Sequence, residues 1–282
     1  MIARWITSSS GPVNLCGGMA LGFPRRLGEP TLNWHRSQTD LTPYAIVVAC
    51  FGRWYAAERV MKSQFVKDMY YATVGKATIL SKWWHQTFKQ NAYRGKFAQI
   101  GCGKEYIDGM VNVEANFQRK RDIWLDINNG LPFADNSIKG LYASHIMEHL
   151  TAAKNRAVYK DFMRVLEPGG KLRILVPDLE YAINAYVAKD RARFPDWPEA
   201  YQSFGGKFNN FTLVCNQHFV LFDFSLMNEF LAEAGFVDIE RKGTAQSDYF
   251  TKEHMQFEHQ TSWGPLLQAD LSLIIEARKP AK

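Results

Sequence analysis

Short apolar runs, each ended by glycine, a carboxylate or proline, recur from residue 96 onward and constrain the fold more than any other feature. They predict strands at residues 97–100, 111–114, 122–126, 139–144, 171–176, 237–240 and 271–277. Helical patterns lie between them: Thr151 can cap one helix, and Ser225 can cap another that ends at Gly235. Strands that alternate with helices indicate an α/β domain built on a largely parallel sheet.

In such a sheet, ligands bind outside the carboxyl ends of the strands. The turn Gly101-Cys102-Gly103 follows the first strand and lets backbone approach a ligand closely. Glu114 ends the second strand, where a carboxylate can accept both hydroxyls of a ribose, and Asp126 ends the third, where it can accept from an exocyclic amine. Ser144-His145 ends the fourth. The pattern predicts a nucleoside site.

The glycine turn lacks the full dinucleotide fingerprint. Lys104, Glu105 and Tyr106 follow Gly103, so the third glycine of GxGxxG is absent and no pyrophosphate cradle is evident. This favours a nucleoside without phosphates.

Residues 96–280 carry four motifs in order: GCG, LPFADNS, MEHL and RVLEPGG. This stretch resembles the class I S-adenosylmethionine-dependent methyltransferases, and it is most similar to the small bacterial "type 11" subgroup. The resemblance implies a Rossmann-like fold with a seven-stranded, mostly parallel sheet and helices on both faces. It implies S-adenosyl-L-methionine as cofactor and a small polar or glycan-type acceptor. Gln99 stands where the subgroup usually has Asp, so it supplies no negative charge for the cofactor's amino group.

The resemblance also implies individual roles. Residues 101–103 would pass under the methionine part of the cofactor, Glu114 would hold the ribose, and Asp126 with the backbone of Ile127 would meet adenine. Ser144 and His145 would border the methionine moiety and the methyl group. If the acceptor is a hydroxyl it needs a base. The candidates for that base are His145 first, then Asp178 and His218.

Two other functions stay open on the sequence. One is a nicotinamide-dependent oxidoreductase on a similar sheet, against which the missing third glycine argues. The other is a catalytically silent α/β binding module, which Gln99 and the unusual N-terminal region keep open.

The N-terminal third differs from the rest in charge. Residues 1–95 hold 12 Lys and Arg against 4 Asp and Glu, whereas residues 96–282 hold 22 against 24. We divide the chain into an irregular arm (1–59), a basic amphipathic helical segment (60–95) and the methyltransferase-like domain (96–282), with insertions at 181–222 and 243–270. The second insertion is a candidate part of the acceptor site.

The helical segment places Leu80, Trp84 and Phe88 at i, i+4 spacing among lysines. Two interpretations follow: a helix that packs this stripe on the main domain, which is the commoner case, or an interfacial helix on anionic lipid through residues 60–90. The basic residues are too dispersed to favour nucleic acid.

Composition excludes several other classes. No apolar run approaches the roughly 20 residues that span a bilayer. The cysteines at positions 16, 50, 102 and 215 form no CxxC pair, which argues against a zinc site or a disulfide framework. Their spacing fits a protein of the reducing cytoplasm. Peripheral contact with the inner face of the membrane is a further option for its location. His254 and His259 match no ligand spacing, so we expect a solvated loop there and predict no metal site.

Overall fold

A computed structural model describes residues 69–196, 198–258 and 271–281. The predicted arm, residues 1–59, lies outside these ranges, as do the first residues of the predicted basic segment. No helix among the described residues is long and apolar enough to cross a membrane.

Seven strands form a single sheet in the order β3-β2-β1-β4-β5-β7-β6. The strands are β1 (Lys96–Ile100), β2 (Val111–Glu114), β3 (Ile123–Trp124), β4 (Ile138–Ser144), β5 (Leu166–Pro177), β6 (Val237–Arg241) and β7 (Ser272–Arg278). β1 to β5 pair in parallel, and β7 runs antiparallel between β5 and β6. The predicted Rossmann-like, mostly parallel seven-stranded sheet is confirmed.

Within the described ranges, five longer helices accompany the sheet: α1 (Lys76–Phe88), α2 (Ala152–Val165), α3 (Leu179–Val187), α4 (Phe204–Leu213) and α5 (Phe224–Glu233). A π-helical turn, Tyr71–Gly75, leads into α1. Thr151 caps α2 as predicted, because its side chain accepts from the Lys154 backbone N–H. The predicted cap of α5 is wrong. Asp223, rather than Ser225, accepts the Leu226 N–H, so the helix begins two residues earlier.

One face of the sheet packs against α2 and α5. Val158, Phe162 and Phe230 from these helices meet the alternate strand residues, such as Leu141 and Ile174, in the main buried cluster. Strand residues that alternate with these point to the opposite side. The helices thus cover the first face in the manner that the apolar periodicity predicts.

Loops, rather than helices, form the cluster on the second face among the described residues. Ile107 and Met110 from the segment after β1, and Phe250 and Met255 from the segment after β6, pack on strand residues that include Tyr142. The segment between β1 and β2 has ten residues and no helix. In this cluster, loop side chains rather than a helix therefore cover the strands.

The sequence predicts a polar loop at residues 243–270 as a candidate part of the acceptor site and a solvated loop at His254 and His259. Residues 259–270 lie outside the described ranges, and residues 243–258 instead pack on the sheet. Glu258 is 3% exposed and pairs with Arg173 of β5 through two contacts of 2.7 Å. Tyr249 donates to the Lys139 carbonyl oxygen, and the His254 ring lies 4.4 Å from that of Phe97. Those partners stand at the amino-terminal starts of β4 and β1, away from the strands' carboxyl ends. The prediction failed because Arg173 and Glu258 are far apart in sequence.

The predicted insertion 181–222 contains α3 and α4. Apolar residues of both helices join Phe194 and Leu271 in a third buried cluster. The segment is therefore a packed helical layer rather than an irregular one.

The apolar stripe of α1 faces solvent, which corrects the favoured interpretation of this helix. Leu80 is 72% exposed, Trp84 50% and Phe88 56%. The helix instead meets the sheet through the opposite side, where Thr78 is fully buried and Lys82 donates to the Asn129 carbonyl oxygen at 2.7 Å. Polar anchors, which periodicity does not detect, decide the orientation.

Candidate functional site

The carboxyl ends of β3, β2, β1 and β4 bring the predicted residues together. Gly101 N–H donates to the Val113 carbonyl oxygen at 2.8 Å, and Leu125 N–H donates to the Glu114 carbonyl oxygen at 3.0 Å, so these three strand ends are joined. The order 3-2-1-4-5 reverses direction between β1 and β4, which is the point where open α/β sheets bind ligands.

The turn after β1 needs both of its glycines, for different reasons. Both have positive φ, +69° at Gly101 and +52° at Gly103. A Cβ on Gly101 would lie 2.4 Å from Cδ1 of Ile146, which follows β4, whereas a Cβ on Gly103 would meet nothing within 4 Å. Gly101 thus lets the ends of β1 and β4 meet, and Gly103 borders open space that a ligand can enter.

Cys102, between these glycines, is a packing residue. It is 3% exposed, and burial, followed by the nearby charges of Glu114 and Asp122, raises the pKa of its thiol to about 12. A thiol with that pKa is protonated near neutral pH, so Cys102 is no nucleophile.

Glu114 is held rigidly at the end of β2. Its Oε2 accepts the Gly103 N–H and its Oε1 accepts the Asn116 N–H, both at 2.7 Å. A carboxylate offers about four lone-pair positions, so each oxygen keeps capacity for a further donor. The geometry ties the acid to the glycine turn.

Asp126 caps the short turn Ile127–Asn129 after β3. Its Oδ1 accepts from the backbone N–H and the side-chain amide of Asn128 at 2.9 and 2.8 Å. Its own N–H donates to Oγ1 of Thr78 in α1 at 3.1 Å. Nothing in the sequence indicates that α1 belongs to this site. Its Thr78 hydroxyl accepts from the Asp126 N–H and from the Asn129 side-chain amide, which lie 48 and 51 residues further along the chain.

His145 follows β4 with a left-handed φ of +52°. Its Nδ1 lies 3.2 Å from Oε1 of Glu148, and its Nε2 lies 3.2 Å from Oγ of Ser272. An ionised carboxylate only accepts, so Nδ1 carries the proton and the Nε2 lone pair faces the Ser272 hydroxyl. Burial favours the neutral ring, but the hydrogen bond and charge of Glu148 outweigh it and raise the pKa of His145.

Asp178 has both carboxylate oxygens engaged. One accepts the Glu180 N–H at the start of α3, and the other pairs with the Arg241 guanidinium. Burial raises the pKa of Asp178, opposed by the charge of Arg241. This carboxylate has a structural use at the helix terminus, while it also lines a recess beside Glu148 and His218.

His218 lies beside Glu148 and His149. Its Nδ1 is 2.9 Å from the Thr212 carbonyl oxygen, and burial lowers the pKa of His218 to about 4. Burial favours the neutral carboxyl of Glu148, but the hydrogen bond that this carboxyl accepts from His145 outweighs burial and holds the pKa of Glu148 below its usual range. The sequence does not predict Glu148 or His149 as a site residue, because their partner His218 is remote in the chain.

The described residues fit a nucleoside-type cofactor with a bulky substituent. A Cβ on Gly103 would occupy part of the open space beside this residue. Two buried acids, Glu114 and Asp126, stand at the ends of the neighbouring strands β2 and β3. Gln99, where the family usually has Asp, is 2% exposed, and its Oε1 has no hydrogen-bond partner among the described residues. The departure from the family pattern is therefore buried in β1.

Comparison with solved structures finds remote likenesses. Phosphoethanolamine N-methyltransferase 2 of Haemonchus contortus, in complex with S-adenosyl-L-methionine, is 16% identical over 76% of this chain and 59% of its own, with a TM-score of 0.38. A methyltransferase of Archaeoglobus fulgidus is 12% identical over 77% of this chain and 100% of its own, with a TM-score of 0.40. One of Mesorhizobium loti is 14% identical over 70% of this chain and 97% of its own, with a TM-score of 0.39. Likeness this low carries no inference about substrate. The chain spans less than two thirds of the length of the Haemonchus protein.

No protein with a curated description matches the sequence. A family model does: residues 94–174 match the methyltransferase domain. This match covers β1 to β4 and most of β5, including the glycine turn and both acids. The sequence resemblance to the class I S-adenosylmethionine-dependent methyltransferases is thereby confirmed over this segment.

Proposed function

We propose that this chain transfers a methyl group from S-adenosyl-L-methionine to a small polar or glycan-type acceptor. One observation carries the proposal: Glu114 and Asp126 end neighbouring parallel strands beside a glycine turn, and the Gly103 N–H is bonded directly to Glu114. The family match over the same strands supports it.

Each residue has a proposed part in binding. Residues 101–103 make room for the methionine portion of the cofactor, and Glu114 accepts the ribose hydroxyls. Asp126 accepts the adenine amine, with Ile127 beside it. Ser144 and His145 border the reacting centre. A prearranged site of this kind lowers the barrier by alignment, an effect that reaches several kcal/mol.

When bound, the cofactor supplies a methyl group on a positively charged sulfur. The sulfur becomes the neutral thioether leaving group when an acceptor atom attacks the methyl carbon in line with the carbon–sulfur bond. For a hydroxyl acceptor, we assign His145 as the base. Its Nε2 takes the hydroxyl proton in place of the Ser272 contact, and Glu148 stabilises the resulting imidazolium through Nδ1. Asp178 and His218 are the second choices, since both are engaged in other hydrogen bonds.

Calorimetry with S-adenosylmethionine, S-adenosylhomocysteine and NAD tests the cofactor assignment. We expect the first two to bind and NAD not to bind. Glu114→Ala and Asp126→Ala each remove a charged acceptor and weaken binding about tenfold or more. Asp108→Asn, on a carboxylate whose side chain is 92% exposed, is the matched control and keeps wild-type affinity.

Other results would select an alternative function. Binding of NAD alone indicates an oxidoreductase, and binding of none of the three indicates a silent module. Wild-type affinity in both acid variants would reject the site assignment. A screen of cell extracts with a radiolabelled methyl donor then identifies the acceptor class.

The outward face of α1 supports contact with an anionic membrane surface. Large apolar residues of this face are each at least half exposed, namely Ile79, Leu80, Trp83, Trp84 and Phe88. Lys76 is the first residue of the helix, and Lys89 follows its last. Apolar residues beside lysines suit the headgroup region. With the reduced thiol of Cys102, this favours the cytoplasmic face of a membrane.

Flotation with phosphatidylglycerol and with phosphatidylcholine vesicles tests this contact. We expect preferential flotation with the anionic vesicles and its loss in Trp83→Ser/Trp84→Ser. Ile183→Ser, which removes an exposed apolar residue of α3, is the control. Equal flotation of the double variant and wild type would reject a role for α1.

A further inference from the structure

Three potential metal ligands meet beside the candidate site. Glu148, His149 and His218 each offer one ligand atom, and these atoms all lie within 4.8 Å of one another. Backbone pairing brings them together, because the Phe219 N–H donates to the Glu148 carbonyl oxygen at 2.8 Å. The rings of His149 and His218 are 4.9 Å apart at an interplanar angle of 72°.

Hydrogen bonds fix which ring nitrogens are available. Nδ1 of His149 lies 3.0 Å from the Gln217 carbonyl oxygen, and Nδ1 of His218 lies 2.9 Å from the Thr212 carbonyl oxygen. A carbonyl only accepts, so each Nδ1 carries a proton and each Nε2 keeps its lone pair. Orientation of a ring through a backbone carbonyl is the usual support for a metal-ligating histidine.

Glu148 supplies the second, independent observation. Glu148 is 2% exposed, its Oε1 lies within hydrogen-bond distance of His145 Nδ1, and its buried Oε2 has no hydrogen-bond partner in the part of the chain that the structure describes. A buried carboxylate oxygen without a partner is costly unless a cation balances it. The Nε2 lone pairs of His149 and His218 cannot donate a hydrogen bond to this oxygen, but a metal ion can bind the two nitrogens and the oxygen together.

We propose that Glu148, His149 and His218 bind one divalent first-row transition-metal ion. Two imidazoles and a carboxylate suit such ions better than calcium or magnesium, which favour oxygen ligands. Metal–ligand bonds of about 2.0–2.2 Å allow ligand atoms up to about 4.3 Å apart, so small side-chain rotations close the cluster around an ion. This revises the sequence prediction of no metal site, which considered only local spacing.

The ion's role rests on the proposed function. His149 is exposed, so three protein ligands leave coordination positions toward solvent for an acceptor oxygen. A coordinated hydroxyl loses its proton more readily, which eases its removal by a base. The inferred acceptor class is therefore an oxygen nucleophile that can coordinate a metal.

The test uses the full chain without a polyhistidine tag, stripped of metal by a chelator. Calorimetry with Mn²⁺, Zn²⁺ and Mg²⁺, and visible absorption with Co²⁺, measure binding without a methylation assay. We expect one Mn²⁺ or Zn²⁺ per chain, weaker Mg²⁺ binding, and imidazole-ligated Co²⁺ bands. His149→Asn and His218→Asn each weaken binding about tenfold or more, whereas His254→Asn, on the far loop, leaves it unchanged.

Circular dichroism establishes that each variant is folded, and the exposed His149 makes its variant the safest one. Glu148→Gln is the third variant and is used only if it folds. No binding of any transition ion, or wild-type affinity in either histidine variant, would overturn the site. S-adenosylmethionine affinity is measured in parallel: loss of metal binding with intact cofactor binding rejects this inference alone, and metal binding without cofactor binding rejects the proposed function alone.

Discussion

At the residue scale, substitutions of Gly101 and Gly103 distinguish the energetic cost of backbone strain from that of a steric clash. Both have positive φ, but only Gly101 abuts a side chain, since its Cβ would lie 2.4 Å from Cδ1 of Ile146. We expect Gly101→Ala to lower the free energy of unfolding by about 2–4 kcal/mol, from strain and overpacking together. Gly103→Ala carries strain alone and costs about 1–2 kcal/mol. Urea unfolding measures both.

A double-mutant cycle isolates the contact. Ile146→Val removes Cδ1, so in that background the cost of Gly101→Ala should fall toward that of Gly103→Ala, although a Cβ would still lie 3.2 Å from Cγ1 and 3.3 Å from Cβ of residue 146. An unchanged cost would show that Ile146 does not limit this turn.

The sequence predicts the candidate site residues that end strands but not those that meet across the chain. Glu114 and Asp126 were predictable because a carboxylate after a short apolar run lies at the carboxyl edge of a parallel sheet. The grouping of Glu148 with His218 was not, because the segment that brings His218 into place follows two helices whose packing no local pattern specifies.

At the element scale, the start of α5 depends on Asp223. Its Oδ1 accepts the Leu226 N–H at 2.8 Å, whereas Ser225 lies inside the helix and donates to Asp223. Asp223→Ala should lower the free energy of unfolding by about 1 kcal/mol, and Asp223→Asn, which can still cap, by much less. Ser225→Ala should change it by no more than about 0.5 kcal/mol. Urea unfolding in which Ser225→Ala costs more than Asp223→Ala would restore the cap predicted from the sequence.

Helix α1 shows why periodicity can predict an element and still misplace it. The i, i+4 stripe identified the helix, but two polar contacts turn that stripe outward: the Thr78 hydroxyl with the Asp126 N–H, and the Lys82 ammonium with the Asn129 carbonyl oxygen. A buried backbone N–H needs a partner, and a hydroxyl on α1 provides it here. Apolar pattern alone contains no information about that need.

At the scale of the whole molecule, a buried ionic cluster joins the loop after β6 to the sheet. Arg173 is fully buried and contacts Glu258 at 2.7 Å and Glu276 at 2.8 Å. It also donates to the carbonyl oxygens of Gly243 and Gln246 at 3.1 Å. One guanidinium therefore holds the loop to the central strands where a helix would otherwise cover them.

Arg173→Met should strand two buried carboxylates and lower the free energy of unfolding by about 3–5 kcal/mol. Arg156→Met, which breaks a pairing with Glu229 and Glu233 at the surface, should cost far less. Adding Glu258→Gln and Glu276→Gln to Arg173→Met removes the stranded charges, so part of the lost stability should return. Hydrogen exchange should increase first in residues 243–258. Equal costs for the two arginine variants, measured by urea unfolding, would mean that the loop is held by its apolar contacts with the sheet and not by this cluster.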